Sequence, residues 1–323
     1  MSNPRIGVIG LGAIGRTHIS TWGSLGVKPI AIADPLPPAL AAMVKQGDWE
    51  TYESGEELLR LSDVDIISIC TPPAFHKDLA IAALDAGKTV LCEKPLAATV
   101  EDAEAIAAAA EKSSGQLHVG FCHRFEPAIV SIKKLIETGA LGKPITLRNR
   151  FAGIMDSPES TWFSNAEISG GGALADTSIH SIDIFRFLLG DAVQVRSLNA
   201  THESEHGPAL DVEDSGVILL QNEAGALGVL ESSWRTPPGE WSVTVYGTSG
   251  LATYDYATGQ GFHTSADGET VPLDFEPGDR FAAEFAHVLA CWRGNAEPVA
   301  TAHDGLIANQ ILAAAYSDGK GYR

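Results

Sequence analysis

Three consecutive residues, Glu93-Lys94-Pro95, and a spaced set, Asp176, His180 and Asp183, carry the side chains best suited to chemistry. Lys94 follows a short apolar run, Thr89–Cys92, that reads as a buried strand ended by Pro95. Open α/β sheets bind ligands beyond the carboxyl ends of their strands. A residue before proline is biased toward extended backbone, so the ammonium can project away from the sheet. An ion-paired surface lysine is the alternative. Asp176 and His180 lie at i and i+4 on an expected helix over 173–189, with Asp183 one turn further along the stripe. Leu174, Ile182, Phe185 and Leu189 supply that helix with an apolar face. Histidine, with an ordinary pKa of about 6.5, can take a proton from a hydroxyl. A carboxylate can orient it, and a lysine can hold the oxygen or polarise a carbonyl. A solvated stripe, with Asp176 favoured by the dipole at a helix start, is the plainer reading.

The elements around Lys94 form a nucleotide-binding pattern. The run 5–10 ends at Gly10-Leu11-Gly12-Ala13-Ile14-Gly15, a G-x-G-x-x-G opening a helix, with a second strand beyond. Gly10 permits the turn, Gly12 lets backbone approach a pyrophosphate, and Gly15 lets helix pack on strand. The first N–H groups of that helix, at Ala13, Ile14 and Gly15, face the phosphates. The second strand, Pro29–Ala33, ends at Asp34, about 20 residues after the last glycine, where a carboxylate would meet the adenosine ribose. Pro35 and Leu36 follow, with no Arg or Lys for a 2′-phosphate, so NAD is preferred over NADP. Asp34 can also cap a helix with Pro35 at its first position. Alternation continues through a strand over 64–70, a helix over 75–86, the strand before Glu93, a helix over 100–113 and a strand over 116–120. This predicts a parallel, doubly wound sheet. Thr71-Pro72 ends one of those strands and either lines the cofactor cleft or makes a rigid turn.

From about Phe125 the pattern changes. A helix over 127–138 leads to a strand over 145–151, and Gly170-Gly171-Gly172 introduces the helix with His180. Long alternating strands are expected over 212–221, 226–234, 241–246 and 251–255, and two helices, 280–293 and 303–316, close the chain. The fold class is therefore α/β: a Rossmann-type domain over 1–123, then an α+β domain over 124–323 with a mostly antiparallel sheet. Loops near 152–166 and 236–240 are expected to shape the substrate pocket.

The net charge of −19, from 41 acidic and 22 basic residues, argues against a nucleic-acid partner. No apolar run reaches membrane-spanning length, and the N-terminus reads straight into a strand, so a cytoplasmic protein is expected. The four cysteines, Cys70, Cys92, Cys122 and Cys291, show no metal-ligand spacing, and no metal is expected.

This ordered set resembles the Gfo/Idh/MocA oxidoreductases, the glucose–fructose oxidoreductase and inositol dehydrogenase family. The resemblance spans the chain: Gly10–Gly15, Asp34-Pro35, Thr71-Pro72 with His76, the run 86–95, Gly120-Phe121 with Arg124-Phe125, and Gly170-Gly171-Gly172 followed by Asp176 and His180. It implies a Rossmann domain followed by a domain with a large open sheet. It implies Lys94 beside nicotinamide and substrate, His180 as acid/base and Asp176 as its partner. Thr71, Pro72, His76 and Glu93 are candidate cofactor contacts, with Glu93 alternatively pairing with a nearby donor to hold the strand end in place. Members commonly oxidise a ring hydroxyl of a sugar or cyclitol and assemble as dimers or tetramers through the open sheet. Two departures stand out. In Cys122-His123-Arg124, His123 replaces the first of two arginines, placing Cys122 and His123 among candidate substrate contacts. Ser178 replaces a glycine, which should favour the helix. Trp162 is a candidate sugar-stacking wall or a packing anchor. The leading expectation is an NAD-dependent dehydrogenase of a ring hydroxyl. An NAD-assisted glycoside-cleaving enzyme and a non-catalytic nucleotide-binding regulator are the alternatives.

Overall fold

The computed structural model describes residues 3–158, 161–202 and 210–318. Met1, Ser2 and positions 159–160 of the expected pocket loop lie outside them. The chain forms two compact units, one of residues 1–121 with 281–307, the other of residues 122–280 with 308–323. Residues 281–307, expected to continue the second domain, thus belong to the first unit. Among the described residues, no helix is long and apolar enough to cross a membrane.

In the first unit, six short strands form one parallel sheet: β1 (Ile6–Ile9), β2 (Pro29–Ala33), β3 (Glu50–Tyr52), β4 (Ile66–Ile69), β5 (Thr89–Cys92) and β6 (Leu117–Val119). Their order is β3-β2-β1-β4-β5-β6. Strands covered on both faces read as apolar runs without alternation, and β1, β4 and β5 are buried at every position. Helices α1 (Ala13–Ser24), α2 (Pro37–Val44), α3 (Gly55–Leu61), α4 (His76–Asp85) and α5 (Val100–Lys112) connect them. The stretch α2–β3–α3 lay outside the sequence expectation. Helix α2 starts at Pro37 rather than Pro35, and Asp34 caps no helix: its Oδ1 accepts from Leu36 N at 2.8 Å in a local turn. Residues Phe285, Val288 and Leu289 complete the core around Ile6, Val8 and Trp22.

Buried polar groups bind α1 to the end of β5. His18 Nε2 lies 3.0 Å from Glu93 Oε1, Glu93 Oε2 accepts from the Lys94 amide at 3.2 Å, and the His18 ring meets Phe285 edge-on at 4.7 Å. A Cβ on Gly120 would lie 3.0 Å from the Glu93 carboxylate, so glycine makes room for it. Trp22 Nε1 donates to Ser68 Oγ at 2.9 Å.

In the second unit, eight strands form a mostly antiparallel sheet ordered β14-β13-β12-β11-β7-β10-β9-β8, with only the β7–β10 pair parallel. They are β7 (Pro144–Ile154), β8 (Ala192–Ala200), β9 (Ser215–Asn222), β10 (Leu227–Ser233), β11 (Arg235–Gly247), β12 (Gly250–Asp255), β13 (Gln260–Ser265) and β14 (Thr270–Pro272). Helices α6 (Pro127–Glu137), α7 (Ala166–Ser169) and α8 (Ile179–Leu189) precede or interrupt the strands, and α9 (Arg280–Trp292) and α10 (Ala302–Asp318) close the chain. Alternation gives the sheet two different faces. Ile218 and Leu220 of β9 are buried, whereas Leu219 between them is exposed. The expected loop 236–240 is a bulge in β11: pairing steps from Arg235 opposite Ile154 to Glu240 opposite Ala152.

Burial alone would raise the Glu93 pKa, but the His18 hydrogen bond and charge, with the Lys94 charge and amide, outweigh it and hold it below the ordinary 4.5. A depressed carboxylate stabilises the fold above its unfolded pKa, and that stability is lost as pH falls through the folded value. Glu93→Gln should therefore cost about 1–3 kcal/mol at neutral pH. In urea titrations the gap to wild type should shrink below pH 4.5. A gap that stays constant with pH contradicts this role.

Candidate active site

The crevice of a doubly wound sheet lies where strand order reverses, here between β1 and β4. Gly10 follows β1 with φ 91°, and a Cβ there would stand 2.7 Å from the Cys70 carbonyl. A Cβ on Gly15 would stand 1.9 Å from Gly10 O, so α1 packs with no side chain between. A Cβ on Gly12, by contrast, meets nothing within 4 Å. Helix α1 has no side-chain cap and no acidic residue in its first turn. Its leading N–H groups, at Ala13, Ile14 and Gly15, are thus set up for an external anion. Asp34 Oδ2 accepts from Leu11 N at 2.7 Å, tying this loop to β2. Arg16, which sequence reasoning passed over, donates to Leu11 O at 3.0 Å and places a guanidinium beside the loop.

His76, expected among the cofactor contacts, is fully buried and stitches two strand ends together. One ring nitrogen lies 2.8 Å from Thr71 O and the other 3.1 Å from Pro95 O. Burial pushes its pKa down, against hydrogen bonds to Thr71, Leu96 and Pro95. The neutral ring therefore donates to one carbonyl at a time. Pro72 leads into a 3₁₀ turn over Pro73–Phe75. Glu93 is likewise turned inward, to His18. Lys94 is partly exposed at the end of β5, with its backbone held by Glu93.

In the second unit, the segment Cys122–Phe125 is a 3₁₀ turn, and its Arg124 reaches α8. Arg124 Nε lies 3.0 and 2.9 Å from the two oxygens of Asp183, and Nη2 lies 2.6 Å from Oδ1, with the pair almost wholly buried. Asp183, read in sequence as part of a polar stripe, is a core ion-pair partner. The pair places His123, next to Arg124, against His180, one turn before Asp183: the rings meet at 4.7 Å and 68°. His123 Nδ1 also lies 2.9 Å from Tyr256 Oη, and Phe151 and Trp241, mutually stacked at 4.4 Å, wall its ring. Burial raises the Tyr256 pKa well above its ordinary value, so it remains a neutral hydroxyl. Local pattern marks Phe151 and Trp241 on their strands, and Tyr256 in the turn after β12, only as core or surface, so none was expected at this site.

The helix carrying His180 departs from the expected regular spiral. Leu174–Ser178 form a π turn, and regular α-helix starts at Ile179. The substitution of Ser178 for glycine does not yield regular helix there; Ser178 Oγ instead meets Ser232 Oγ at 2.5 Å. The i,i+4 spacing of Asp176 and His180 therefore spans a wider turn than the sequence argument assumed. Asp176 is half-buried and accepts from Thr177 Oγ1 at 3.1 Å, whereas His180 is buried. The triple glycine before them serves packing. A Cβ on Gly172 would stand 1.8 Å from Glu213 O, and one on Gly171 1.9 Å from Tyr316 Oη. Glu213 accepts from the Gly172 and Leu174 amides and from Tyr316. Trp162 is exposed at one face and stacked on Phe163 at 3.9 Å.

Comparison with known proteins agrees with this fold. Residues 4–121 match the oxidoreductase family with an NAD-binding Rossmann fold, and residues 129–253 match the GFO/IDH/MocA C-terminal domain. The chain belongs to the GFO/IDH/MocA oxidoreductase family. It is 32% identical over 281 residues to myo-inositol 2-dehydrogenase of Thermotoga maritima, covering 85% of this chain and 80% of that one. It is 28% identical over 275 residues to the NADP(+)-linked D-xylose 1-dehydrogenase of Haloarcula marismortui, covering 82% and 75%. Its fold superposes on levoglucosan dehydrogenase in complex with NADH and levoglucosan with a TM-score of 0.89, at 25% identity, covering 98% and 97%. The parallel six-stranded sheet with a larger mixed sheet is the architecture expected of this family.

Asp183→Asn keeps the shape but takes the Asp183 charge away from the buried Arg124 guanidinium. Losing one partner of a buried pair costs about 3–5 kcal/mol, and chemical denaturation should show a loss of that order. A change below about 1 kcal/mol contradicts the pair's role.

Proposed function

We propose that this protein is a dehydrogenase that moves hydride between a ring hydroxyl of a sugar, sugar derivative or cyclitol and a nicotinamide cofactor, NAD in preference to NADP. The observation that carries the reading is the buried His180, set against His123 by the Arg124–Asp183 pair, in a chain whose first unit has an open glycine loop and an uncapped helix. The names of the relatives, which cover an inositol, an aldose and an anhydro-sugar, support the substrate class.

The residues fit the cofactor. Ala13, Ile14 and Gly15 amides, with Gly10 and Gly12, would hold the pyrophosphate. Asp34, already fixed by Leu11 and Leu36 amides, would accept from the ribose. Thr71 and Pro72 would line the crevice. When bound, NAD supplies the hydride acceptor. His180 takes the hydroxyl proton in oxidation and returns it in reduction, the work of a general acid and base. Asp176 orients His180, and Lys94 holds the reacting oxygen and polarises it as a carbonyl. The ring wall of Phe151 and Trp241 supports a substrate with apolar C–H faces. Trp162 and Cys122 are further substrate-contact candidates. Exposed Leu198, Leu219 and Leu227 share the outer face of the eight-stranded sheet and support self-association as a homodimer or homotetramer.

Purified protein with NAD and a panel of sugars, polyols and inositols should produce reduced nicotinamide, read by absorbance. His180→Ala should lower kcat/KM on the best substrate by about 10²-fold or more. A variant as active as wild type removes His180 from the role of base.

A further inference from the structure

Among the described residues, Cys122, His123 and His180 place one donor atom each within 4.8 Å of one another, all three side chains buried. The sequence gives no hint of such a set, because His180 comes from a distant helix and the cysteines lack ligand spacing. We propose that these three residues form a binding site for a zinc-class divalent cation, with a water or hydroxyl in the fourth position.

The chemistry of the donors fits this class of ion. Thiolate and imidazole together suit zinc and cobalt rather than magnesium or calcium, which prefer oxygen. Three protein ligands with one open position is the arrangement of zinc sites that exchange a ligand. The His123–Tyr256 contact, with Nδ1 2.9 Å from the hydroxyl, is the outer hydrogen bond that fixes a ligating ring. The wall of Phe151 and Trp241 limits how far that ring can turn. The Cys122 side chain is among the groups that raise the Arg280 pKa, and Glu126 Oε2 lies 3.7 Å from Arg280 Nη1. A guanidinium near the sulfur offers a counter-charge to a metal-bound thiolate, and Glu126 offsets part of the guanidinium's charge. The ion binds with release of the thiol proton to solvent, so affinity rises with pH. One consequence rests on the reading of His180 as acid/base: zinc occupies the nitrogen that would take the hydroxyl proton, and so inhibits turnover. The binding itself does not rest on it.

The test uses the full chain freed of metal by a chelator and titrated with cobalt(II), then with zinc. Wild type should take up one cobalt per chain with a near-ultraviolet sulfur-to-cobalt charge-transfer band, and zinc should abolish the band. Cys122→Ser should lose the band, and His123→Phe should weaken binding at least tenfold, each with a wild-type circular dichroism spectrum. Should either variant fail to fold, Cys291→Ser, which removes the thiol beside His287, still decides: the band must persist in it. A wild type without the band overturns the site. So does a band that survives Cys122→Ser or disappears in Cys291→Ser.

Discussion

The pairing of Arg124 with Asp183, nearly stripped of water, is the constraint on which the second unit's candidate chemistry depends. An isolated charge at either position would be expensive to bury. Together, through a forked contact to both carboxylate oxygens, they are mutually satisfied. The pair reaches from a short turn to a long helix, and the residues beside it inherit its geometry. His123 precedes Arg124, and His180 lies one helical turn before Asp183, so joining the charges joins the rings. Such a supporting shell keeps reactive side chains in register without relying on loops.

The first unit uses the same device in a different place. Glu93, Asp34 and His76 are polar, buried and directed at backbone groups or, for Glu93, also at His18. Glu93 fixes the end of β5 through His18 and the Lys94 amide, Asp34 fixes the glycine loop, and His76 joins the turns after β4 and β5. Three side chains named as candidate cofactor contacts thus also hold in place the backbone from which a ligand would be bound. The feature that faces outward is the first turn of α1, where the absence of a side-chain cap follows from glycine at the cap position.

Much of this was legible in the sequence. The apolar strands, the glycine loop and the Glu93-Lys94-Pro95 strand end follow from local pattern, because strands buried on both faces and turns that need glycine leave strong signals. The long strands of the second unit were partly visible, but β8, β13 and β14 were not. Gln194, Arg196, Gln260 and His263 interrupt their apolar pattern, since one face of each meets solvent. What stayed hidden was long-range. Nothing local reveals that Arg124 seeks Asp183, that Glu213 and Tyr316 close over the triple glycine, or that Phe285 packs in the first unit rather than the second. An amphipathic helix reports that it has a buried face, not which core receives it. The π turn before Ile179 was equally invisible, because its residues are compatible with regular helix.

Taken with its family, these arrangements make hydride exchange at a ring hydroxyl the central claim. Its most direct test is the fate of the carbinol hydrogen. The best substrate, deuterated at the reacting carbon, is incubated with the protein and NAD, and the nicotinamide is examined by NMR. The account predicts one deuterium at the nicotinamide C4 for each molecule of substrate oxidised, with the hydroxyl proton released to solvent. Deuterium found in water, with unlabelled nicotinamide, would contradict it.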